Sequence, residues 1–210
     1  MAKRYDQYCP IAHALELVGE RWSLLIVREL LHGPKRYTDL AANLPGIGTN
    51  ILAARLKDLE AGSVLVKRKL PPPAASQVYE LTAFGHALRP VMRELANWGL
   101  LSLGPPRPAE LAEGWLVNAL DLVMARGAPA ATFEFRIEGE VASLVDGVAK
   151  EGSIESPDVL VEADVTSFYY LFVEGNWDGV SVEGDRRLLE QLLNGAREPL
   201  AGLASASAAA

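Results

Sequence analysis

The most constraining feature of this sequence is the stretch of residues 37–79, where two helical patterns are followed by two strand patterns. In the first pattern, YTDLAANL, Leu40 and Leu44 lie on one apolar stripe, and a Pro-Gly pair follows directly. Thr38 lies in the opening turn, where its hydroxyl can accept a hydrogen bond from an unpaired backbone amide. The pattern therefore predicts a short capped helix that ends in a tight turn.

A second helix is predicted over residues 49–61, because three leucines repeat at helical spacing and Gly62 follows. Its buried face is formed by Leu52, Leu56 and Leu59. The opposite face is small and polar and carries Asn50, Ala53, Ala54 and Lys57. A helix in the major groove of DNA reads base edges with residues near its N-terminus, so Thr49 and Asn50 are the predicted base contacts.

Two alternating segments, VLVKRKL and QVYEL, predict a β-hairpin around a proline-rich turn at residues 71–73. Lys67, Arg68 and Lys69 are adjacent cations on the first strand, and DNA phosphates are suitable partners for them. The alternative is a small α/β packing unit whose lysines are merely solvated. The order of capped helix, turn, helix and basic hairpin is more specific, and it predicts a winged helix-turn-helix.

These residues also resemble the HxlR family of bacterial transcriptional regulators, which are relatives of the MarR type. The resemblance extends over residues 9–99 and is carried by CPIAHALELVGERWSLLIVRELLHGPKRYTDLAANLPGIGTNILAARLKDLEAGSVLVKRKLPPP and VYELTAFGHALRPVMRELANWG. It implies a homodimer that binds double-stranded DNA, with the helix from Thr49 as recognition helix and the hairpin as wing. Repression of transcription is the family expectation.

The predicted DNA-binding surface extends beyond the two base contacts to neighbouring cations and small residues that can approach phosphates. The full set is Lys35, Arg36, Thr38, Thr49, Asn50, Ala53, Arg55, Lys57, Lys67, Arg68 and Lys69.

The net charge of −7 argues against a nucleic-acid partner, but the charge is distributed unevenly along the chain. Up to Leu100 there are 13 Lys and Arg against 9 Asp and Glu, whereas the remainder has 7 against 18. The cationic excess thus coincides with the predicted DNA-binding half. The acidic half is expected to face away from DNA, because it would repel phosphates.

A long helix is predicted from TAFGHALRPVMRELANWGLLSL, with Thr82 as its cap and a kink at Pro90. Its apolar face includes Val91, Leu95 and Trp98 and is too large for a small wing domain to cover. We expect this helix to pair with the first helix and with a second copy of the chain. A twofold dimer would place two recognition helices about 34 Å apart on a pseudo-palindromic site.

Cys9 precedes Pro10 at the start of the first predicted helix, where helix amides stabilise a thiolate. One interpretation is a redox-sensing cysteine, an arrangement that resembles some HxlR-like proteins, and the other is an unreactive residue beside the cap. As the single cysteine it cannot form an internal disulfide. No apolar leader or run long enough to span a bilayer is present, so a cytoplasmic protein without a membrane partner is expected.

The segment GPPRP is predicted to be a stiff linker between two domains. The predicted organisation is a winged helix-turn-helix domain at residues 1–101, a linker at 102–108, a second domain at 109–201 and a disordered Ala/Ser-rich tail at 202–210.

In the second domain the patterns predict the helix AELAEGWLVNALDLVMAR and a hairpin of TFEFRIEG with EVASLVDGVAK. The strand DVLVEADV, the helix VTSFYYLFVEG, the strand GVSVEG and a helix from Asp185 to Gly195 follow. This order resembles the sterol-carrier-protein-like fold. The predicted fold class is therefore α+β, with the winged helix-turn-helix followed by a smaller α+β domain of that kind.

An aromatic cluster in the second domain is either plain core or the wall of a ligand pocket. Its members are Phe168, Tyr169, Tyr170, Phe172 and Trp177. A pocket would accept a small apolar effector, which would bias the dimer between two DNA-binding geometries. The competing interpretation is a lipid or acyl-ligand carrier in which the first half is only a dimerisation module.

The sequence shows no constellation of catalytic residues. His13, His32 and His86 have no metal-ligand spacing, and GIGTN follows a helix without the third glycine of a dinucleotide site. Four acids in the second domain are interpreted as strand-end and helix-cap residues: Glu174, Asp178, Glu183 and Asp185. No enzymatic activity, cofactor or metal is expected.

Overall fold

The computed structural model describes residues 5–71, 76–124 and 127–207, with side chains as far as Arg197. The chain forms two compact units, residues 1–92 and 93–210. The predicted linker at residues 102–108 thus lies inside the second unit. None of the helices in the described ranges is both long enough and apolar enough to cross a membrane.

The first unit is a helical domain with a two-stranded hairpin. Its elements are α1 (Pro10–Val18), α2 (Ser23–Leu30), α3 (Tyr37–Asn43), α4 (Thr49–Ala61), β1 (Leu65–Lys69), β2 (Gln77–Leu81), α5 (Ala83–His86) and the start of α6 (Arg89–Leu100). The predicted bounds of α4 are confirmed. The predicted proline-rich turn falls partly on Pro72 and Pro73, which lie outside the described residues.

The predicted single helix after the wing is instead two helices, α5 and α6, separated by two residues. Thr82 caps α5 as predicted, since its Oγ1 accepts a hydrogen bond from the Gly85 backbone N–H over 3.0 Å. Pro90 lies in the first turn of α6, where its missing N–H costs nothing. The predicted kink is a break because proline cannot continue the hydrogen bonding of the preceding helix and disfavours helical geometry before it.

The second unit is a mixed five-stranded sheet with helices packed on it. Its elements are α7 (Trp115–Ala119), which continues as a π-helix (Leu120–Met124), β3 (Thr132–Ile137), β4 (Glu140–Val145), β5 (Val148–Glu151), β6 (Val159–Ala163), α8 (Val165–Glu174), β7 (Val180–Gly184) and α9 (Arg186–Ser207). The strand order is β5-β4-β3-β6-β7, and only the β3–β6 pair is parallel.

Two tight turns build the meander of β3, β4 and β5. Gly139 and Gly147 have φ of +83° and +76°, and the residue before each, Glu138 and Asp146, has φ of +49°. Positive φ at both central residues is the geometry that matches the twist of a hairpin. The predicted strand EVASLVDGVAK is therefore two strands, because its Asp-Gly pair turns the chain.

The core of the second unit lies between the sheet and its helices. Phe133 and Phe135 of β3 point to the helices and are fully buried against Phe168 and Leu171 of α8. The sheet and covering helices give an α+β domain, in agreement with the predicted class. The finer likeness to a sterol-carrier protein stays a prediction.

Two predictions for the helices of this unit need correction. The first helix begins at Trp115 rather than at residue 109, and its predicted last residues, Ala125 and Arg126, lie outside the described chain. The last helix does not end at Gly195 but continues to Ser207, whereas the expected disorder of residues 202–210 stays a prediction. Ala196 is buried against the same core, and this packing outweighs the local tendency of a glycine to end a helix. Residues 208–210 lie outside the described chain.

Candidate nucleic-acid interface

The helix α4 separates its side chains into a buried and an exposed face, as predicted. The buried leucines are Leu52, Leu56 and Leu59. The exposed residues on the opposite side are Thr49, Asn50, Ala53, Ala54 and Lys57. Small side chains between Asn50 and Lys57 allow the helix backbone to approach another molecule closely.

A backbone contact fixes the N-terminus of α4. Tyr37, at the start of α3, donates a hydrogen bond from its hydroxyl to the carbonyl oxygen of Thr49 over 2.8 Å. Gly46, with φ of +85°, allows the chain to turn between the two helices. The backbone of Thr49 is therefore held by the fold, while the side chains of Thr49 and Asn50 face outward.

A buried carboxylate that sequence reasoning missed holds the helix-turn-helix together. Glu29 of α2 is 2% exposed. Its oxygens accept hydrogen bonds from Arg28 Nη2 over 2.8 Å and from Asn43 Nδ2 of α3 over 3.0 Å. Lys35 Nζ lies 3.5 Å from Glu29 Oε2. The sequence feature that marks this buried carboxylate is its position on the apolar face of α2, three residues after Ile26.

Lys35 has a structural role in addition to its predicted phosphate contact. Its backbone exchanges two hydrogen bonds with Tyr79 of β2, of 3.0 and 2.8 Å, and so extends the hairpin by one residue. Its ammonium pairs with Glu29 and is only 21% exposed. Part of its charge is thus neutralised within the protein.

The wing presents its cations on both sides of an antiparallel hairpin. Lys67 is opposite Tyr79, and its Nζ lies 5.7 Å from the centre of that ring. Arg68 points to the other side and pairs with Glu80. Lys67, Arg68 and Lys69 are all exposed. The structure thus places the three predicted cations on the surface, with Arg68 already paired.

The start of α3 differs from its predicted capping. Asp39, not Thr38, provides the cap, because its Oδ2 accepts a hydrogen bond from the backbone N–H of Arg36 over 3.0 Å. The hydroxyl of Thr38 donates to Asp39 Oδ1 over 3.1 Å. A carboxylate accepts these bonds more strongly than a hydroxyl does. Thr38 and Arg36 both remain exposed at this end of α3.

Arg55 lies away from the exposed face of α4 that carries Asn50. Five residues along a helix correspond to a rotation of about 140° from Asn50. Its guanidinium pairs with Glu20 over 2.9 Å and with Asp58 over 2.6 Å, and the side chain is 17% exposed. The structure therefore does not bring Arg55 together with the other predicted DNA-binding residues.

Cys9 occupies the N-cap position of α1, as predicted, and is partly exposed. Its carbonyl oxygen accepts a hydrogen bond from His13 N–H over 3.0 Å, which closes the first turn. Cys9, Pro10, His13 and Glu16 line a shallow surface depression.

A separate cavity lies within the second unit and has a volume of about 260 Å³. Three of the predicted pocket residues, Phe168, Tyr169 and Phe172, line it from α8. Trp115 and Met124 contribute to the facing wall. The cavity is thus also lined by residues of the predicted helix before β3, which were not among the predicted pocket residues.

Trp177 is not among the residues that line this cavity, which corrects its predicted place there. Gly175 ends α8 in a left-handed conformation, with φ of +75°, and the chain then reverses direction. Trp177 follows this reversal, and the guanidinium of Arg186 lies 3.7 Å from the centre of its ring. The aromatic side chain thus supports the start of α9 through a cation–π contact.

Within the described part of the chain, no group of three His, Cys, Asp or Glu side chains is placed to hold a metal ion.

The sequence matches to known proteins cover the part of the chain that contains α3, α4 and the wing. The family model described as HxlR-like helix-turn-helix matches residues 17–105. The HTH-type transcriptional regulator YodB of Bacillus subtilis is 37% identical over 91 residues, which are 43% of this chain and 81% of YodB. The regulator YvaP of the same organism is 33% identical over 101 residues, which are 48% of this chain and 94% of YvaP.

Among solved structures, the reduced form of YodB from B. subtilis is 34% identical, with a TM-score of 0.41, and the match covers 48% of this chain and all of YodB. The sequence relatives are covered over most of their own length, and they are transcriptional regulators rather than enzymes. This chain therefore belongs to the HxlR-like helix-turn-helix family of transcriptional regulators.

Proposed function

We propose that this regulator acts as a cytoplasmic homodimer that binds a pseudo-palindromic DNA site and represses transcription from it. One observation carries the proposal: α4 exposes Asn50, Ala53 and Lys57 on one side while three leucines anchor the other side in the core. This division is what a helix needs in order to lie in the major groove.

Base recognition is assigned to the N-terminus of α4. Thr49 and Asn50 are exposed there, on a backbone that Tyr37 holds in place. An asparagine can form two hydrogen bonds with an adenine edge, and a threonine can bond several bases or contact the thymine methyl group. Preference among DNA sequences should therefore depend on these two residues.

Binding to the DNA backbone is assigned to the exposed cations. Arg36, Lys57, Lys67 and Lys69 are exposed. Lys57 lies on the recognition helix, Arg36 precedes this helix in the chain, and Lys67 and Lys69 follow it. A smaller contribution to binding of the DNA backbone is expected from Lys35, Arg55 and Arg68, because each of them pairs with a carboxylate of the protein. Thr38 and Ala53 would add close contacts without charge. Neutralised phosphates release counterions, so the affinity should fall steeply with salt.

Dimerisation is assigned to exposed apolar faces of α1 and α6. Val91, Leu95 and Trp98 recur at intervals of a helical turn on α6 and are 54%, 43% and 67% exposed. Ile11 on α1 is 72% exposed. Large apolar side chains grouped in this way indicate an interaction surface. Twofold pairing would bury them and present two copies of α4 to successive turns of DNA.

Two inputs are proposed for control of DNA binding. Oxidation of Cys9 is supported by its partial exposure at the start of α1. Binding of a small apolar effector is supported by the cavity beside Phe168 and Phe172. The same cavity also supports the alternative of a lipid or acyl-ligand carrier. The first unit belongs to a family of transcriptional regulators, however, and this favours a ligand that controls DNA binding over one that is carried.

The test is selection of binding sites from fragments of the source genome with the purified full-length protein, followed by a salt titration on the enriched sequence. We expect enrichment of a pseudo-palindrome and a steep loss of affinity as salt rises. Weak binding that enriches no sequence, in both the reduced protein and the protein supplied with apolar ligands, would contradict the proposed function.

A further inference from the structure

The cavity of the second unit is large enough for a small organic molecule. Its volume is about 260 Å³, whereas an apolar cavity of about 150 Å³ is sufficient to bind benzene. Aromatic side chains form much of the wall, with Phe168, Tyr169 and Phe172 on α8 and Trp115 on α7. The size and the aromatic wall fit a ligand of one or two rings.

The chemistry of the wall selects against a charged ligand. Among the described residues that line the cavity, none carries a charged side chain. The polar groups there are the indole of Trp115 and the hydroxyl of Tyr169, which lies 3.5 Å from the carbonyl oxygen of Leu103. An ion buried in such surroundings without a partner loses its hydration and gains nothing in return. A neutral ligand with at most one polar group is therefore favoured.

One wall of the cavity is an unusual helix. Residues of the π-helix Leu120–Met124 line it, including Val123 and Met124. π-Helices are rare, because their hydrogen bonds are less favourable than those of an α-helix, and they are frequent at functional sites. A ligand in the cavity would therefore pack directly against this segment.

A polar contact joins this π-helix to α6. Arg93 of α6 donates a hydrogen bond from Nε to the backbone carbonyl of Asp121 over 3.2 Å. Its Nη2 lies 3.5 Å from Asp121 Oδ1, and Asp121 is 4% exposed. Leu100, at the end of α6, itself lines the cavity. The position of α6 is thus tied to the cavity wall at two points.

We propose that this cavity is an effector site for a neutral, apolar ligand of one or two rings, and that Arg93 and Asp121 transmit its occupancy to α6. Because α6 carries the exposed stripe of Val91, Leu95 and Trp98, movement of α6 would alter the spacing of the two DNA-binding units in a dimer. The transmission to DNA rests on the proposed function, whereas the ligand site does not.

Ligand binding is tested with two fluorophores that differ by one charged group. 1-Naphthylamine has two rings and is neutral at pH 7, and 5-aminonaphthalene-1-sulfonate is the same molecule with a sulfonate. The full-length protein should bind the neutral probe at least tenfold more tightly. Ala119→Phe fills the cavity from its wall and should reduce that affinity at least tenfold, while Val148→Phe, which adds the same side chain at an exposed position, should leave it unchanged.

Equal affinity for both probes, or an Ala119→Phe variant that folds and binds the neutral probe normally, would overturn the assignment of the site. Circular dichroism of each variant establishes that it is folded. A second filling variant, Val123→Phe, should give the same loss from another side of the cavity.

Transmission is tested by measuring affinity for the selected DNA duplex with and without saturating 1-naphthylamine. A coupling of roughly fivefold or more is expected, and by reciprocity the duplex should change the affinity for the probe by the same factor. Arg93→Met should abolish this coupling while its affinity for the probe stays normal, which shows that the cavity is intact.

Unchanged DNA affinity on saturation with the probe, or full coupling in Arg93→Met, would overturn the role of Arg93 and Asp121. If the protein binds no duplex either without the probe or with it, the proposed function fails, but discrimination between the two fluorophores would still uphold the ligand site.

Discussion

At the scale of single residues, recognition and architecture depend on different side chains of the same unit. Asn50 is exposed on α4 and free to meet a base, whereas Glu29 is 2% exposed and meets three other residues of the protein. The exposed residue should determine which DNA is bound. The buried one should determine whether α2, α3 and Lys35 hold α4 in position.

Asn50→Ala is expected to weaken binding to the selected DNA site by roughly 1–3 kcal/mol, because it removes a paired hydrogen bond to one base. Binding to random DNA should change far less. The measurement is a titration of both duplexes at one salt concentration. Asn194→Ala is the matched control, since Asn194 is exposed on α9 in the second unit. An equal loss on random DNA would assign Asn50 to the DNA backbone instead.

Glu29→Ala is expected to destabilise the first unit by roughly 1–3 kcal/mol, because it removes the acceptor shared by Arg28, Lys35 and Asn43. Glu29→Gln keeps the shape and one acceptor and should lose less. Denaturant unfolding followed by circular dichroism measures both. A Glu29→Ala variant as stable as the natural protein would show that solvent replaces these contacts at no cost.

At the scale of helices and strands, the sequence predicted the elements whose local signals agree with their packing. The helix α4 has leucines at helical spacing and a terminal Gly62, so its approximate bounds could be predicted. For α9 the signals conflict: Gly195 favours an end, but Ala196 beyond it is buried in the core. Burial depends on contacts with distant segments, and a single sequence does not reveal them.

The candidate site shows the same contrast. The exposed face of α4 follows from periodicity, but the pairing of Arg55 with Glu20 joins residues that are far apart in sequence. The cation–π contact between Arg186 and Trp177 depends on how the chain reverses after α8. The division of EVASLVDGVAK into β4 and β5 is a different case. Its Asp-Gly pair is a hairpin signal that is present in the local sequence.

The N-cap of α8 provides a test of pH dependence at this scale. A hydrogen bond from the Ser167 hydroxyl, followed by one from the Ser167 backbone amide, lowers the pKa of the Asp164 carboxyl below its usual value. The folded state therefore favours the carboxylate. Its contribution is present above about pH 4, the usual value for aspartate, and is lost as the pH falls through the lowered pKa.

Asp164→Ala is expected to destabilise α8 by about 1 kcal/mol at pH 7, as for other N-cap residues. The difference from the natural protein should shrink as the pH falls below about 4. Hydrogen exchange of the α8 amides measures it. Asp178→Ala, at an exposed position in the loop before β7, is the control and should show neither effect. A difference that persists undiminished at low pH would contradict the capping role.

At the scale of the whole molecule, the chain combines a DNA-binding unit with an acidic unit that contains an apolar cavity. The boundary falls within α6, between Met92 and Arg93. The exposed stripe on this helix is what a dimer would cover. Function is therefore expected to depend on a second copy of the chain as much as on α4.

Trp98→Lys is expected to convert the proposed dimer to a monomer, because it places a charge in the proposed apolar interface. Light scattering after gel filtration measures the mass of the particle. Val148→Lys removes a comparably exposed apolar side chain from β5 and should leave the dimer intact. A Trp98→Lys protein that stays dimeric would assign the interface to another surface.

The most direct test of the account is the dependence of affinity on the spacing between half-sites. Two copies of α4 in a twofold dimer must meet half-sites about one helical turn apart, on the same side of the duplex. Insertion of five base pairs in the centre of the selected site turns one half-site to the opposite side. The affinity of a twofold dimer should then fall to that for a single half-site, and an unchanged affinity would contradict twofold binding.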